Sequence, residues 1–147
     1  MDKRILNYAK KIQNALVDSG LFPNALSGAC GIASKELFEF GVRNNLPVSF
    51  AYKRGDHCFN LVDGFIVDIT AWQFNQQYEN KVAVLDTADR YVKSCWWWKT
   101  TCIASTIEEY ITAEKDYIQF EKWMHQNPAL YAFTTTSHGK LMFTPRA

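Results

Sequence analysis

The stretch His57-Cys58-Phe59-Asn60-Leu61-Val62-Asp63-Gly64-Phe65-Ile66-Val67-Asp68-Ile69-Thr70 holds two apolar runs parted by Asp63-Gly64. Asp-Gly in that setting predicts a two-residue β-hairpin, because a type I′ turn needs positive φ at both central positions. The turn fixes the register: Val62 faces Phe65, Phe59 faces Asp68 and His57 faces Thr70. Directly opposed residues share a face, as do alternate residues along a strand. His57, Phe59, Asp68 and Thr70 are therefore expected on one side. His57 and Asp68 become diagonal neighbours with Cα atoms about 7–8 Å apart, which an imidazole and a carboxylate can bridge. A slip of one residue would send Asp68 to the other face. A carboxylate within Ile66-Val67-Asp68-Ile69 is costly without a partner, whether that partner is His57, a backbone turn or an arginine.

Upstream, Ser27-Gly28-Ala29-Cys30-Gly31 places a thiol where an amphipathic helix is expected to begin. A helix N-terminus and a nearby imidazolium both favour the thiolate over the thiol. Cys30 as nucleophile, His57 as base and Asp68 as the group that orients the ring then form a triad. The Cys30 N–H, in the first helical turn, is free to meet a developing oxyanion. Gly31 leaves room for a substrate carbonyl. Asn24 is a candidate second oxyanion donor and Gln73 a support residue. Trp72 fits a cleft wall as well as it fits a packed core.

Around these residues the pattern predicts an α+β chain. Ile5, Ala9, Ile12 and Leu16 recur at helical spacing over residues 4–18, and Gly20 stops that helix. A second helix is expected from Cys30 to Asn44, with Ala33, Leu37, Phe40 and Ile32 inward. Strands are expected at 47–52, 57–62, 65–70, 82–85 and 91–99, with Arg54-Gly55-Asp56 as a turn. Ser105-Thr106-Ile107-Glu108 has capping-box spacing and opens a helix expected to reach Met124, ended by Asn127-Pro128. Leu130–Thr135 and Lys140–Phe143 suggest a closing hairpin around His138-Gly139. No repeat or linker divides the chain, so residues 1–147 are expected to form a single catalytic domain.

Composition narrows the function classes. With 147 residues, 48% of them hydrophobic, the chain suffices for one sizeable core. A net charge of +1 and the lack of a Lys/Arg run argue against a nucleic-acid partner. No segment reads as a membrane span or a secretory signal, so a cytoplasmic location is expected, with delivery into a host cell left open. Cys30, Cys58, Cys95 and Cys102 form no C-x-x-C pair and are expected as free thiols.

The pattern Gly28-x-Cys30-Gly31-x-Ala33-Ser34, then His57-x-Phe59-x-x-x-Asp63-Gly64-x-x-x-Asp68-x-Thr70-x-x-Gln73-Phe74, resembles the papain-like and transglutaminase-like cysteine enzymes. The Asp63–Phe74 stretch is similar to small bacterial and phage members, some related to glutamine deamidases of toxins and effectors. The resemblance covers residues 28–74. It implies a core in which a helix bears the cysteine and adjacent strands bear the His and the Asp. It also implies attack on an amide of a protein or peptide substrate through a thioester, with no cofactor. The chain departs from papain-type peptidases in having Gly31, not an aromatic residue, after the cysteine, and Asn24 rather than glutamine upstream.

Blander readings stand beside these. A lone cysteine is commonly core, and Cys58, Cys95 and Cys102 are read that way. A zinc site from His57 and the three remaining cysteines lacks paired short-range ligands. His125 suits a helix end and His138 a turn. Strand alternation would set Trp97 on one face and Trp96 and Trp98 on the other, as core or as a partner patch. Phe74 is expected as a core anchor. A non-catalytic binding or inhibitor protein on the same scaffold is the rival function.

Overall fold

The computed structural model describes residues 1–53, 57–100, 102–116, 131–135 and 141–145, the last two segments as backbone. The turn at Arg54-Gly55-Asp56, the helix beyond residue 116, Asn127-Pro128, His125 and His138-Gly139 lie outside the described residues. The architecture is α+β. Helix α1 spans Lys3–Ser19 and α2 spans Cys30–Asn44. The strands β1 (Ser49–Lys53), β2 (His57–Val62), β3 (Phe65–Asp68) and β4 (Ala83–Asp86) follow. Then come α3 (Arg90–Ser94), β5 (Cys102–Ala104) and α4 (Ile107–Asp116), and last a separate antiparallel pair, β6 (Tyr131–Thr135) with β7 (Leu141–Pro145). The five-stranded sheet has the order β4-β3-β2-β1-β5, every neighbour antiparallel.

Strand parity gives the sheet two unlike faces. Phe50, Tyr52 and Cys58 point toward α2 and α4, while Val62 and Val67 meet α1 and α2. Ala51, Phe59 and Ile66 point the other way, beneath Tyr78, Val92, Cys95 and Trp98. On the helical side Ile5, Ala9, Ile12 and Leu16 of α1 are fully buried, as their spacing predicts, and Gly20 takes the left-handed φ of 66° that ends the helix. Helix α2 is buried more widely than one apolar stripe would give. Phe38 and Glu36 are buried with Ala33 and Leu37, while Phe40 is half-buried and stacks on Tyr8.

Two buried amides tie these layers where the site lies. Asn60 Nδ2 donates to Ser34 O (2.9 Å) and Ser49 O (3.2 Å), fastening α2 to the sheet. Gln13 Nε2 donates to Ile69 O (3.0 Å) and Lys81 O (2.7 Å), so α1 holds the chain just after Asp68. Helix α2 also comes close to the β1 approach at Gly41, where an added Cβ would stand 2.8 Å from Val48 Cβ.

Three expectations need correction. Residues 91–99 are not a strand. Asp89 caps the Tyr91 N–H (2.8 Å) and starts the short helix α3, and Trp96–Trp98 form a 3₁₀ turn. The three indoles therefore do not alternate: Trp98 is buried, Trp97 half-buried and Trp96 exposed. The fifth strand is instead Cys102–Ala104, beside β1. Strand β3 stops at Asp68 rather than Thr70, because the Asp68 carboxylate accepts the Thr70 N–H and turns the chain. The capping box on α4 sits one residue later than expected, with Thr106 Oγ1 accepting from Glu109 N (3.2 Å) and donating to Glu109 Oε1 (3.2 Å).

Candidate active site

Cys30 is the first residue of α2 and is held there by an unusual approach. Ala25 and Leu26 both adopt left-handed φ values (51° and 62°), and Gly28 follows at 91°. A non-glycine residue in that region costs about 1–2 kcal/mol, so the surroundings hold this loop against local preference. The helix has no side-chain cap at Ala29, which leaves its first N–H groups to other acceptors.

The hairpin delivers its two residues as the register requires. Asp63 and Gly64 have φ of 52° and 80°, and Val62 pairs with Phe65, Leu61 with Ile66 and Asn60 with Val67. One step further, His57 Nε2 lies 2.6 Å from Asp68 Oδ2, with both side chains fully buried. The carboxylate has further partners. Its Oδ1 accepts the Thr70 N–H (3.0 Å) and its Oδ2 the Trp98 indole N–H (2.8 Å). Gln73 Nε2 donates to Thr70 Oγ1 (3.0 Å), bracing that turn from behind.

His57 is the first residue of β2, at the sheet end where α2 begins, and there the Cys30 side chain comes within hydrogen-bonding reach of the ring. Nδ1 has no aligned hydrogen bond, so this contact is looser than the bond to Asp68. Burial opposes a charged ring. The Asp68 charge and hydrogen bond, joined by those of Cys30, outweigh it and raise His57 from 6.5 to about 10. The ring therefore holds its proton at neutral pH.

An aromatic cap covers the imidazole. Phe74 meets the His57 ring edge-on at 4.6 Å, Trp97 stacks on Phe74 at 5.2 Å, and Trp96 meets Phe74 at 5.3 Å. Lys53 Nζ sits over the Trp96 ring at 5.0 Å. Cys30 is 2% exposed and His57 0%, so the sulfur is closed to solvent in this conformation.

No protein family, curated protein or solved structure matches this chain.

Among the sequence-selected residues the structure gathers Cys30, His57 and Asp68, with Gly31 buried next to Cys30 and Gln73 bonded to Thr70, whose N–H in turn donates to Asp68. Asn24 is exposed, and its backbone carbonyl accepts the Ser27 N–H (2.9 Å). Trp72 packs against the apolar clusters and points its N–H toward Gln76 (3.4 Å). Cys58 and Cys95 are buried and Cys102 is half-buried. Among the described residues, no three His, Cys, Asp or Glu side chains group as metal ligands, and no helix is long and apolar enough to cross a membrane.

Sequence reasoning missed Trp98 as an Asp68 donor and Phe74 as the cover of His57. Phe74 ends the sequence pattern that contains the triad, the one signal pointing to it. Trp98 carried none, because reading 91–99 as a strand gave its indole no defined neighbour.

Proposed function

We propose that this chain is a cysteine-dependent amide hydrolase with a papain-like or transglutaminase-like core. The observation that carries the reading is the buried 2.6 Å His57–Asp68 pair with the Cys30 side chain at the same ring. An imidazolium beside the thiol favours a thiolate, so the resting nucleophile is charged before substrate binds and the proton already sits on His57. The Cys30 sulfur attacks the amide carbon, and the first-turn N–H groups of α2 receive the oxyanion. His57 gives its proton to the departing nitrogen as the C–N bond breaks, leaving a thioester. The ring, now neutral, takes a proton from water, whose oxygen attacks the thioester and releases the acid. The proton left on His57 restores the thiolate–imidazolium pair. Asp68 supports the charged ring in both steps, and Trp98 and Thr70 hold Asp68.

Deamidation of a glutamine side chain in a partner protein is the first reaction to test. Peptide or isopeptide cleavage is second and transfer to an amine third. The three share the thioester and differ in leaving group and acceptor. Access requires Phe74, Trp96 and Trp97 to move aside. The buried Trp97 Nε1 has no hydrogen-bond partner among the described residues, a cost of about 1–3 kcal/mol that opening relieves. The test is to assay ammonia release, chain cleavage and amine incorporation on protein and peptide substrates. One should be positive and vanish in Cys30→Ala; full activity in that variant would refute the proposal.

One observation favours the binding-protein reading. Trp96 is 47% exposed on a closed site, as an interface residue would be. Iodoacetamide at mildly acidic pH separates the two. With the cap opened by Phe74→Ala and Trp96→Ala, an activated Cys30 reacts well ahead of Cys58, Cys95 and Cys102, whereas equal sluggishness there supports the binder.

A further inference from the structure

Trp98 has two environments. Its N–H points to Asp68, while the residue also lines a separate concavity of about 290 Å³ on the outer side of the sheet. The floor of that concavity is Leu61, Ile66, Val92 and Trp98, all buried or half-buried, and the rim is Thr87, Lys93, Lys99 and Thr100, all exposed. Among the described residues, no acidic side chain lines it. Neither rim lysine forms an ion pair among the described residues. The Thr87 hydroxyl already donates to Gly64 O (2.8 Å). The rim thus offers donors and positive charge above an apolar floor.

That combination selects an amphiphile with one anionic end. Its tail fills the concavity against Leu61, the half-buried part of the floor, and the outer edges of the buried Ile66, Val92 and Trp98, and its head group meets two ammonium groups that hold no counter-charge among the described residues. At about 30 Å³ per liquid water, the cavity has room for roughly ten non-hydrogen atoms, the size of an eight-carbon carboxylate. We propose that this pocket binds a short apolar monocarboxylate, held by Lys93 and Lys99 and seated on Trp98. The site is distinct from the thiol and does not depend on the amide chemistry assigned to Cys30. It adjoins that centre, because the ring that floors the pocket also anchors Asp68.

Octanoate, with 1-octanol as the neutral probe of equal tail length, tests this on the full chain by isothermal titration calorimetry. Octanoate should bind with a Kd of about 1 mM or tighter, the range open to ten non-hydrogen atoms. It should bind at least tenfold more tightly than octanol. Lys93→Gln combined with Lys99→Gln, two exposed positions, should erase that preference while leaving the thermal unfolding midpoint unchanged. Cys30→Ala should bind octanoate as the unaltered chain does, so loss of amide turnover would leave this result standing. Octanoate binding no better than octanol, or unaffected by the two lysine substitutions, would overturn the assignment.

Discussion

The charge state of the buried pair leaves a thermodynamic trace that Cys30→Ser exposes. His57 is raised from 6.5 to about 10 in the folded chain. Folding therefore tightens its hold on one proton. The resulting stability is complete below pH 6.5 and is lost as pH rises through about 10. One such proton changes stability by about 1.4 kcal/mol per pH unit. The whole effect is bounded by the roughly 3–5 kcal/mol cost of breaking a buried ion pair. The thiol alters the shape of this curve. If folded Cys30 is a thiolate, its missing proton balances the one held by His57 until the unfolded cysteine ionises near its ordinary 8.5. The unaltered chain should then be nearly flat from pH 6.5 to 8.5 and fall only above that. In Cys30→Ser the balance is gone, and stability should begin to fall close to pH 6.5. Urea unfolding at half-unit steps between pH 6 and 10 measures both curves, and Asp68→Asn supplies the background from lysines and tyrosines. Superimposable curves for the unaltered chain and Cys30→Ser between pH 6.5 and 8.5 would refute the thiolate–imidazolium pair. A rise relative to Asp68→Asn over that window would refute the raised imidazole itself.

Removing the cap should expose the nucleophile: Phe74→Ala with Trp96→Ala should speed Cys30 alkylation about tenfold over its closed-state rate, read by peptide mass spectrometry, with Cys58 unchanged as the internal standard. Trp98→Phe keeps the ring and deletes the 2.8 Å donor to Asp68. Hydrogen bonds to charged groups contribute about 1.5–3 kcal/mol, so urea unfolding should register that loss, and amide turnover should fall about tenfold in kcat with little change in KM. Gly41→Ala should destabilise the chain by about 1–3 kcal/mol in thermal unfolding, because the new methyl would meet the Val48 side chain at 2.8 Å; an unchanged midpoint would show that α2 and Val48 separate freely.

The His57–Asp68 pairing was legible in the sequence because its geometry is local. Asp63-Gly64 admits few backbone solutions, and once the turn is set, parity alone brings His57 to Asp68. Gly20 and the Cys30 helix start were equally legible, since a stop glycine and a buried apolar face act over a few residues. What escaped the sequence depends on tertiary partners. Tyr91 to Lys99 has the aromatic content of a strand, but the Asp89 side chain caps Tyr91 N and Cys102–Ala104 takes the place beside β1. Phe74, Trp96 and Trp97 lie far from His57 along the chain, so no periodicity could foretell that they close over it. Nor could the burial of Asn60 be read from its neighbours, because its partners Ser34 and Ser49 come from α2 and β1.

The Gln13 amide gives the first helix a role at a distance. It grips the peptide units of Ile69 and Lys81 from inside the protein, at 1% exposure, although nothing in α1 belongs to the triad. Lys10 adds a second link, donating to Asn80 O and to Gln13 Oε1. Shortening the chain from its amino end would free the segment that keeps the Asp68 carboxylate in line and take Ile5, Ala9, Ile12 and Leu16 out of the core, although α1 makes none of the ladders of the five-stranded sheet. Warming that frays α1 should therefore silence the centre before the sheet melts, with the loss reversing on cooling.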